Sequence, residues 1–305
     1  MSEASVSFDR AAEYYDQTRG STDEAMARTV DLMAPELMPR GRVLEIGVGT
    51  GQLALPFRAA GIGVMGVDIS KEMLKRLRLK AGAGAAVPVS LADATRLPFG
   101  DATFGGAYFR WVLHLIPTWR AAIEETVRVV EPGGVVVGML GSFGGRPGEI
   151  RRHCCDLLGV SGDPVGLGWG ETDPLDEHMA SLGCDLRLIG PYKEEGTERL
   201  DDYLREVSEG KYSWTWTVPD DARREAVERI RPWAQERWGP LDRELTYSHE
   251  GYWRAYDLPS LSASLSAPIS ALSRPVRPRP FGVSRYVPVS FDDYGPPGRP
   301  DTRRF

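Results

Sequence analysis

The sequence predicts a doubly wound α/β fold built on a mostly parallel sheet, and three observations predict it. Short apolar runs without polar alternation recur along the first half of the chain, as strands covered on both faces require. Segments with helical apolar spacing separate them, the order that a parallel sheet with crossover helices demands. The first run, Val43 to Ile46, passes directly into Gly47-Val48-Gly49-Thr50-Gly51, after which Leu53, Ala54 and Phe57 resume at helical spacing.

The first strand therefore ends in a glycine loop that can turn sharply and approach a ligand which a Cβ would push away. The spacing is Gly-x-Gly-x-Gly with Glu45 two residues ahead of it, unlike the Gly-x-Gly-x-x-Gly of dinucleotide sites. A second strand, Ile62 to Val67, ends at Asp68, about where a strand-end carboxylate meets a ribose diol. Ile69 follows, and Ser70 suits the N-cap of a helix whose Met73 offers a polarizable surface to a flat ring. The third run, Ala86 to Leu91, ends in Ala92-Asp93-Ala94, and the fourth, Phe104 to Phe109, leads into Arg110-Trp111-Val112-Leu113-His114. The fifth, Val135 to Leu140, follows a turn at Glu131-Pro132-Gly133-Gly134.

Beyond Leu140 the periodicity loosens. Residues 141–170 read as a glycine-rich connection with room for one helix. Asp173 to Leu182 reads as a helix stopped by Gly183, Asp185 to Ile189 as a strand, and Glu244 to Tyr256 as a last, antiparallel strand. An insertion at about residues 195–240 separates those two strands. Thr197 is expected to cap a helix carrying Leu200, Tyr203, Leu204 and Val207, and Asp220 another carrying Val227, Ile230, Trp233 and Ala234, with Pro232 kinking or interrupting it. Residues 1–257 are expected to form one domain, and 258–305 a Pro-, Ser- and Arg-rich tail, extended or disordered because proline blocks regular pairing.

Composition narrows the function. A chain of 305 residues with 42% hydrophobic content can bury a full core. Its formal charge of −6 argues against a protein that depends on phosphate contacts along nucleic acid. No apolar run is long enough to span a bilayer, and the first residues lack the form of a signal peptide, so a cytoplasmic protein is expected. Three cysteines make no disulfide framework, and His153 beside Cys154 and Cys155 is not read as a metal site.

These motifs together resemble the class I S-adenosylmethionine-dependent methyltransferases of the small-molecule type, over about residues 8–257 and most closely over 42–140. The resemblance implies a Rossmann-like methyltransferase fold of seven strands with a helical lid over the acceptor. It implies that Gly47, Gly49 and Gly51 border the methionine part of S-adenosylmethionine and that Glu45 helps to place its amino group. Asp68 would hold the ribose hydroxyls, Ile69 and Met73 would flank the adenine, and Asp93 with the Ala94 backbone would read it. Phe8 to Arg19 resembles the N-terminal helix that closes over the cofactor, with Tyr15 and Arg19 near its carboxylate.

A sulfonium methyl is already electrophilic, so the protein has to align a nucleophile, exclude water and manage one proton, and no metal is expected. The Asn/Asp-Pro-Pro-Tyr/Phe loop of nucleobase and amide methyltransferases is missing after the fourth strand, as is a Pro-Cys pair. An O-, N- or C-methyltransferase of a small metabolite is expected. His114 is the candidate general base, and Arg110 is assigned to the cofactor or an acidic acceptor. Trp111 is assigned to the acceptor, as are Trp214 and Trp216, which flank Thr215 and would face one side of an extended segment. Other readings stand beside these: the two aspartates as turn formers, the aromatics as lid core, and His114 as structural. For the whole chain the alternatives are a non-catalytic S-adenosylmethionine-binding protein and an NAD-dependent oxidoreductase.

Overall fold

The computed structural model describes residues 5–82, 86–140 and 145–260. Seven strands form one sheet in the order β3-β2-β1-β4-β5-β7-β6: β1 (Arg42–Ile46), β2 (Gly63–Asp68), β3 (Val89–Leu91), β4 (Phe104–Arg110), β5 (Val130–Met139), β6 (Asp185–Glu198) and β7 (Leu245–Asp257). The first five run parallel, and β7 inserts antiparallel between β5 and β6. Nine helices accompany them among the described residues: α1 (Tyr15–Arg19), α2 (Asp23–Leu37), α3 (Ala54–Ala59), α4 (Lys71–Ala81), α5 (Trp119–Val129), α6 (Gly145–Leu158), α7 (Asp173–Ser181), α8 (Leu200–Ser208) and α9 (Asp220–Trp238). None is long and apolar enough to cross a membrane.

Neighbouring β1 residues feed opposite layers of the core, as a pleated strand requires. Val43 joins Phe57, Val64, Tyr108 and Trp253 on one face, while Leu44 and Ile46 join Phe104, Phe109 and Ile123 on the other. The strand order reverses at β1, which lies between β2 and β4. A crevice therefore opens beyond the carboxyl ends of these strands, where open α/β sheets take ligands. Ser70 caps α4 as expected, its hydroxyl accepting from the Met73 N–H.

Several local expectations need correcting. β5 begins at Val130, so the expected turn at Glu131–Gly134 lies within the strand, across an irregularity in β4 pairing between Phe104 and Gly106. β6 continues to Glu198, paired with β7 on both sides of an irregularity between Ile189 and Tyr192 in a ribbon that reaches Leu245. Thr197 thus lies in a strand opposite Thr246 and caps nothing, and α8 starts at Leu200 without a side-chain cap. The extension is held by ladder pairing with its side chains largely exposed, so it carries no apolar alternation to read. Asp220 is the first residue of α9 and accepts from Arg223, and Pro219 precedes it. Pro232 does not interrupt α9: buried Val227, Ile230 and Ala234 anchor the helix on both sides of it. The glycine-rich connection contains α6, whose Ile150 and Cys154 pack with α8 and α9. α6 thus shares a core with the helices of the expected insertion.

Packing continues past 257, the expected end of the domain. Leu258 is buried and donates its N–H to Gly134 O at 2.9 Å, and Pro259 O accepts from Gly133 N–H at 3.1 Å. The rest of the expected tail, 261–305, lies outside the described residues.

Candidate functional site

A cavity of about 590 Å³ opens at the carboxyl ends of β1, β2 and β4 and continues beneath the lid. Its floor is the glycine loop. Gly47 and Gly49 take φ of +70° and +53°, conformations that L side chains rarely adopt. A Cβ on Gly47 would meet Val112 Cγ2 at 2.6 Å, whereas one on Gly49 would meet no heavy atom closer than about 4.0 Å. Both line the cavity, and Gly49 leaves open space where a ligand can approach the backbone. Gly51 faces the Leu77 side chain instead and serves packing.

Two strand-end carboxylates stand beside this loop. Asp68 Oδ2 accepts from Gly49 N–H and Oδ1 from Ser70 N–H, both at 2.8 Å, which fixes its orientation at the cavity wall. Burial holds its carboxyl above the usual range, against the pull of those two N–H groups. Asp93 Oδ1 accepts from both the N–H and the hydroxyl of Thr95, and Ala94 follows it in the lining. Ile69 and Met73 complete this end, Met73 backed by Ala11 and Ala12. The donor and acceptor set fits S-adenosylmethionine: a carboxylate for a diol, an acid and a backbone amide for an adenine edge, and apolar walls for its faces.

The N-terminal segment is strapped across this end. Asp9 Oδ1 accepts from the Ser70 hydroxyl at 2.6 Å and from Glu72 N–H at 3.1 Å, capping α4 from outside, and these bonds hold the Asp9 carboxyl below its usual range. Asp16 accepts from Thr50, Gln52 and Lys80; burial opposes ionisation, yet these donors hold its carboxyl low. Gln52 in turn accepts from Arg110 Nη2 at 2.7 Å. Tyr15 lines the cavity edge-on to Phe8, 5.8 Å between centroids. Asp9, Asp16 and Gln52 were missed from sequence because each acts through a partner distant in the chain. The helix itself is short, a 3-10 turn at Asp9–Ala11 followed by the five residues of α1.

The acceptor half lies beyond β4. Trp111 has φ of +55° and is held by its N–H to Met139 O at 3.0 Å. A large residue in this region stores strain, which collects at functional sites. The Arg110 guanidinium lies 4.5 Å from the Trp111 ring centroid. His114 sits on the following 3-10 turn, its ring 4.3 Å from Trp169 and its carbonyl accepting from Gly166 N–H. Burial, reinforced by the Arg19 charge, pushes its imidazole down to about 3, so it stays neutral across the working range. Arg19 reaches toward the lid, its guanidinium carbon 4.3 Å from the Tyr212 centroid. Tyr203, Tyr212 and Trp169 also line this half. The helical spacing of Tyr203 signalled a buried face of α8 but not its place at a cavity.

Besides Gly51, three expected residues stand away from the cavity. Glu45 is 4% exposed and accepts from Tyr108 OH at 2.8 Å; it lies one residue short of the β1 end and does not reach the lining. Burial raises its carboxyl to about 8, against the pull of the Tyr108 bond and Arg110. Trp214 and Trp216 do not share one side. They belong to a 3-10 turn at Ser213–Thr215 and the residue after it, and three residues per turn set positions i and i+2 about 120° apart. Trp214 packs into the lid core, and Trp216 packs on Phe8 at 4.9 Å, so neither lines the cavity.

Comparison with known proteins agrees with this geometry. Residues 44–138 match the family described as Methyltransferase domain. The chain is 33% identical over 208 residues to 27-O-demethylrifamycin SV methyltransferase of Amycolatopsis mediterranei, covering 66% of this chain and 71% of that one. It is 33% identical over 217 residues to an uncharacterized protein of Mycobacterium tuberculosis, covering 62% and 78%. The YcgJ protein of Bacillus subtilis superposes with a TM-score of 0.53 at 19% identity, covering 78% of this chain and all of that one, which shows the shared fold. The sheet order, the glycine loop and these relatives agree: the chain belongs to the S-adenosylmethionine-dependent methyltransferases of the methyltransferase-domain family.

Proposed function

We propose that the protein transfers a methyl group from S-adenosylmethionine to an O, N or C atom of a small metabolite. The observation that carries this reading is one continuous cavity, lined by Gly49, Asp68 and Asp93 at one end and by His114, Trp169 and Tyr203 at the other. Its volume suits a small-molecule site. The Amycolatopsis relative is named for a small-molecule acceptor, which supports the same class.

When bound, S-adenosylmethionine supplies an electrophilic methyl group, so the chain's own work is positioning. Asp68 is assigned to the ribose hydroxyls, Asp93 and Ala94 to the adenine edge, and Gly47 and Gly49 to the methionine portion. Ile69 and Met73 are the apolar walls, and Tyr15 and Arg110 border the donor end. Glu45 is assigned a supporting role through Tyr108 and Arg110, and Gly51 through the loop's packing. Trp111 and His114 face the acceptor. A neutral imidazole that is so weak a base contributes chiefly by accepting a hydrogen bond that orients the acceptor. Trp214 and Trp216 act through the lid's shape rather than by contact.

The test is incubation of a metabolite extract with methyl-labelled S-adenosylmethionine, followed by mass spectrometry of labelled products. A labelled small molecule that depends on the protein supports the reading and identifies the acceptor atom. Label transfer to nucleic acid or protein in place of metabolites would sink it.

A further inference from the structure

We propose that the acceptor binds through an anionic oxygen, of a phenolate, enolate or carboxylate, held between the Arg19 guanidinium and the Tyr203 hydroxyl. The inference rests on the methyl-transfer reading of the cavity and goes further by naming the charge of the acceptor.

Arg19 is a half-buried cation without a counter-ion. Among the described residues it makes no ion pair, and its hydrogen bond is to the adjacent Thr18 carbonyl at 3.1 Å. Arginine offers five donors in a planar fork, so most of this one remains unused. Its charge faces the acceptor half: it lies over Tyr212 and acts electrostatically on His114 and Tyr203. The same charge also acts on Tyr15 at the donor end, so the proposal assigns Arg19 to the acceptor where the sequence assigned it to the cofactor carboxylate.

Tyr203 supplies an independent observation. Its side chain is nine-tenths buried, lines the cavity, and its hydroxyl has no hydrogen-bond partner. Buried hydroxyls are ordinarily paired, and leaving one unpaired is costly. Burial keeps this phenol protonated, so it is available as a donor.

The carboxylates on the same wall are already engaged. Glu206 accepts from Tyr212 OH at 2.7 Å, Glu198 pairs with Arg146 at 2.8 Å, and Asp202 pairs with Arg205 at 2.7 Å. An ammonium acceptor would meet the Arg19 charge and, of these three acids, could draw only on Glu206, which bonds a neutral hydroxyl rather than a cation, whereas an oxyanion would satisfy Arg19 and Tyr203 together. An acceptor that arrives ionised also needs no base, in keeping with the neutral His114.

The test is calorimetry in two steps. S-adenosylhomocysteine is titrated first; the saturated protein is then titrated with benzoate, benzyl alcohol and benzylamine, ring probes of similar size that differ in charge. Benzoate should bind in preference to the other two. Arg19→Gln should weaken benzoate at least about tenfold while S-adenosylhomocysteine stays within about threefold. Arg19→Lys should restore part of the affinity, and Tyr203→Phe should weaken benzoate by about threefold to tenfold. Retained S-adenosylhomocysteine affinity shows that each variant is folded. Benzylamine or benzyl alcohol binding as well as benzoate overturns the proposal, as does failure of benzoate to bind the saturated protein. Loss of S-adenosylhomocysteine affinity in Arg19→Gln with benzoate unchanged returns Arg19 to the cofactor and also overturns it. Failure of S-adenosylhomocysteine itself to bind is a different result, which removes the methyl-transfer reading beneath it.

Discussion

Asp68 accepts one backbone N–H on each oxygen and retains acceptor capacity at the cavity wall. Asp68→Ala should weaken S-adenosylhomocysteine binding by about 1–3 kcal/mol, the cost of losing one side of a charge-assisted hydrogen bond. Calorimetry measures it, and an unchanged affinity would remove Asp68 from the cofactor site. This acid was legible because a strand end after a glycine loop has a fixed place in the fold. Glu45 was not, because burial depth depends on where the strand stops. Its folded pKa, about 8, lies above the unfolded value of 4.5, so its contribution to stability is full below 4.5 and is lost as pH rises through about 8. Glu45→Gln should therefore gain melting temperature relative to the parent protein as pH rises across that window; a constant difference would mean the carboxylate is already ionised throughout. His114 shifts the other way. Its imidazole is neutral above about 3, so any role as hydrogen-bond acceptor should persist as the medium is acidified. Turnover should show no His114 limb near about pH 6.5, and His114→Ala should cost nearer tenfold than the 10²–10⁴-fold of an efficient base. A limb near about pH 6.5 that disappears in His114→Ala would show a solvated, titrating base instead.

Elements with strong apolar runs were readable and those held by pairing or by remote contacts were not. β1 to β4 lie close to their expected positions because buried parallel strands leave continuous apolar runs. The extension of β6 carries no such run, since its side chains are largely exposed along the β7 ribbon. Ile150, Cys154 and Leu157 recur at helical spacing in α6, a signal hidden among glycines. The stretch around Trp214 and Trp216 is ambiguous for a different reason: an extended segment and a 3-10 turn both fit its sequence, but they aim alternate side chains differently. The turn sends Trp216 onto Phe8 of the N-terminal segment, where Arg10 also lies 5.3 Å from its ring centroid. The lid and the strap thus hold each other over the donor end. Trp216→Ala should release about 0.5–1.5 kcal/mol of this aromatic contact and speed cofactor dissociation by a few-fold to about tenfold. Stopped-flow displacement of S-adenosylhomocysteine reads it, and an unchanged rate would show that the strap opens independently of the lid.

For the whole molecule, the last contacts of β7 decide where the domain ends. Leu258 is 7% exposed, and it and Pro259 clasp the start of the β5 arch through Gly133 and Gly134. Pro259 and Ser260 read as the beginning of a proline- and serine-rich tail, so composition places the boundary at 257, just ahead of the buried Leu258. Cutting the chain after Asp257 removes the buried leucine and two backbone hydrogen bonds, which should cost about 2–4 kcal/mol. Cutting after Ser260 keeps them. Beyond that point the one apolar run, Leu261, Leu265, Ile269 and Leu272, is interrupted by Pro268 and gives way to an Arg- and Pro-rich stretch, so the chain ending at Ser260 should match the full-length protein in melting temperature and in S-adenosylhomocysteine affinity. If both truncated chains melt together below the full-length protein, residues after Ser260 dock on the domain. If both melt with it, the Leu258 clasp adds nothing and the domain does end at Asp257.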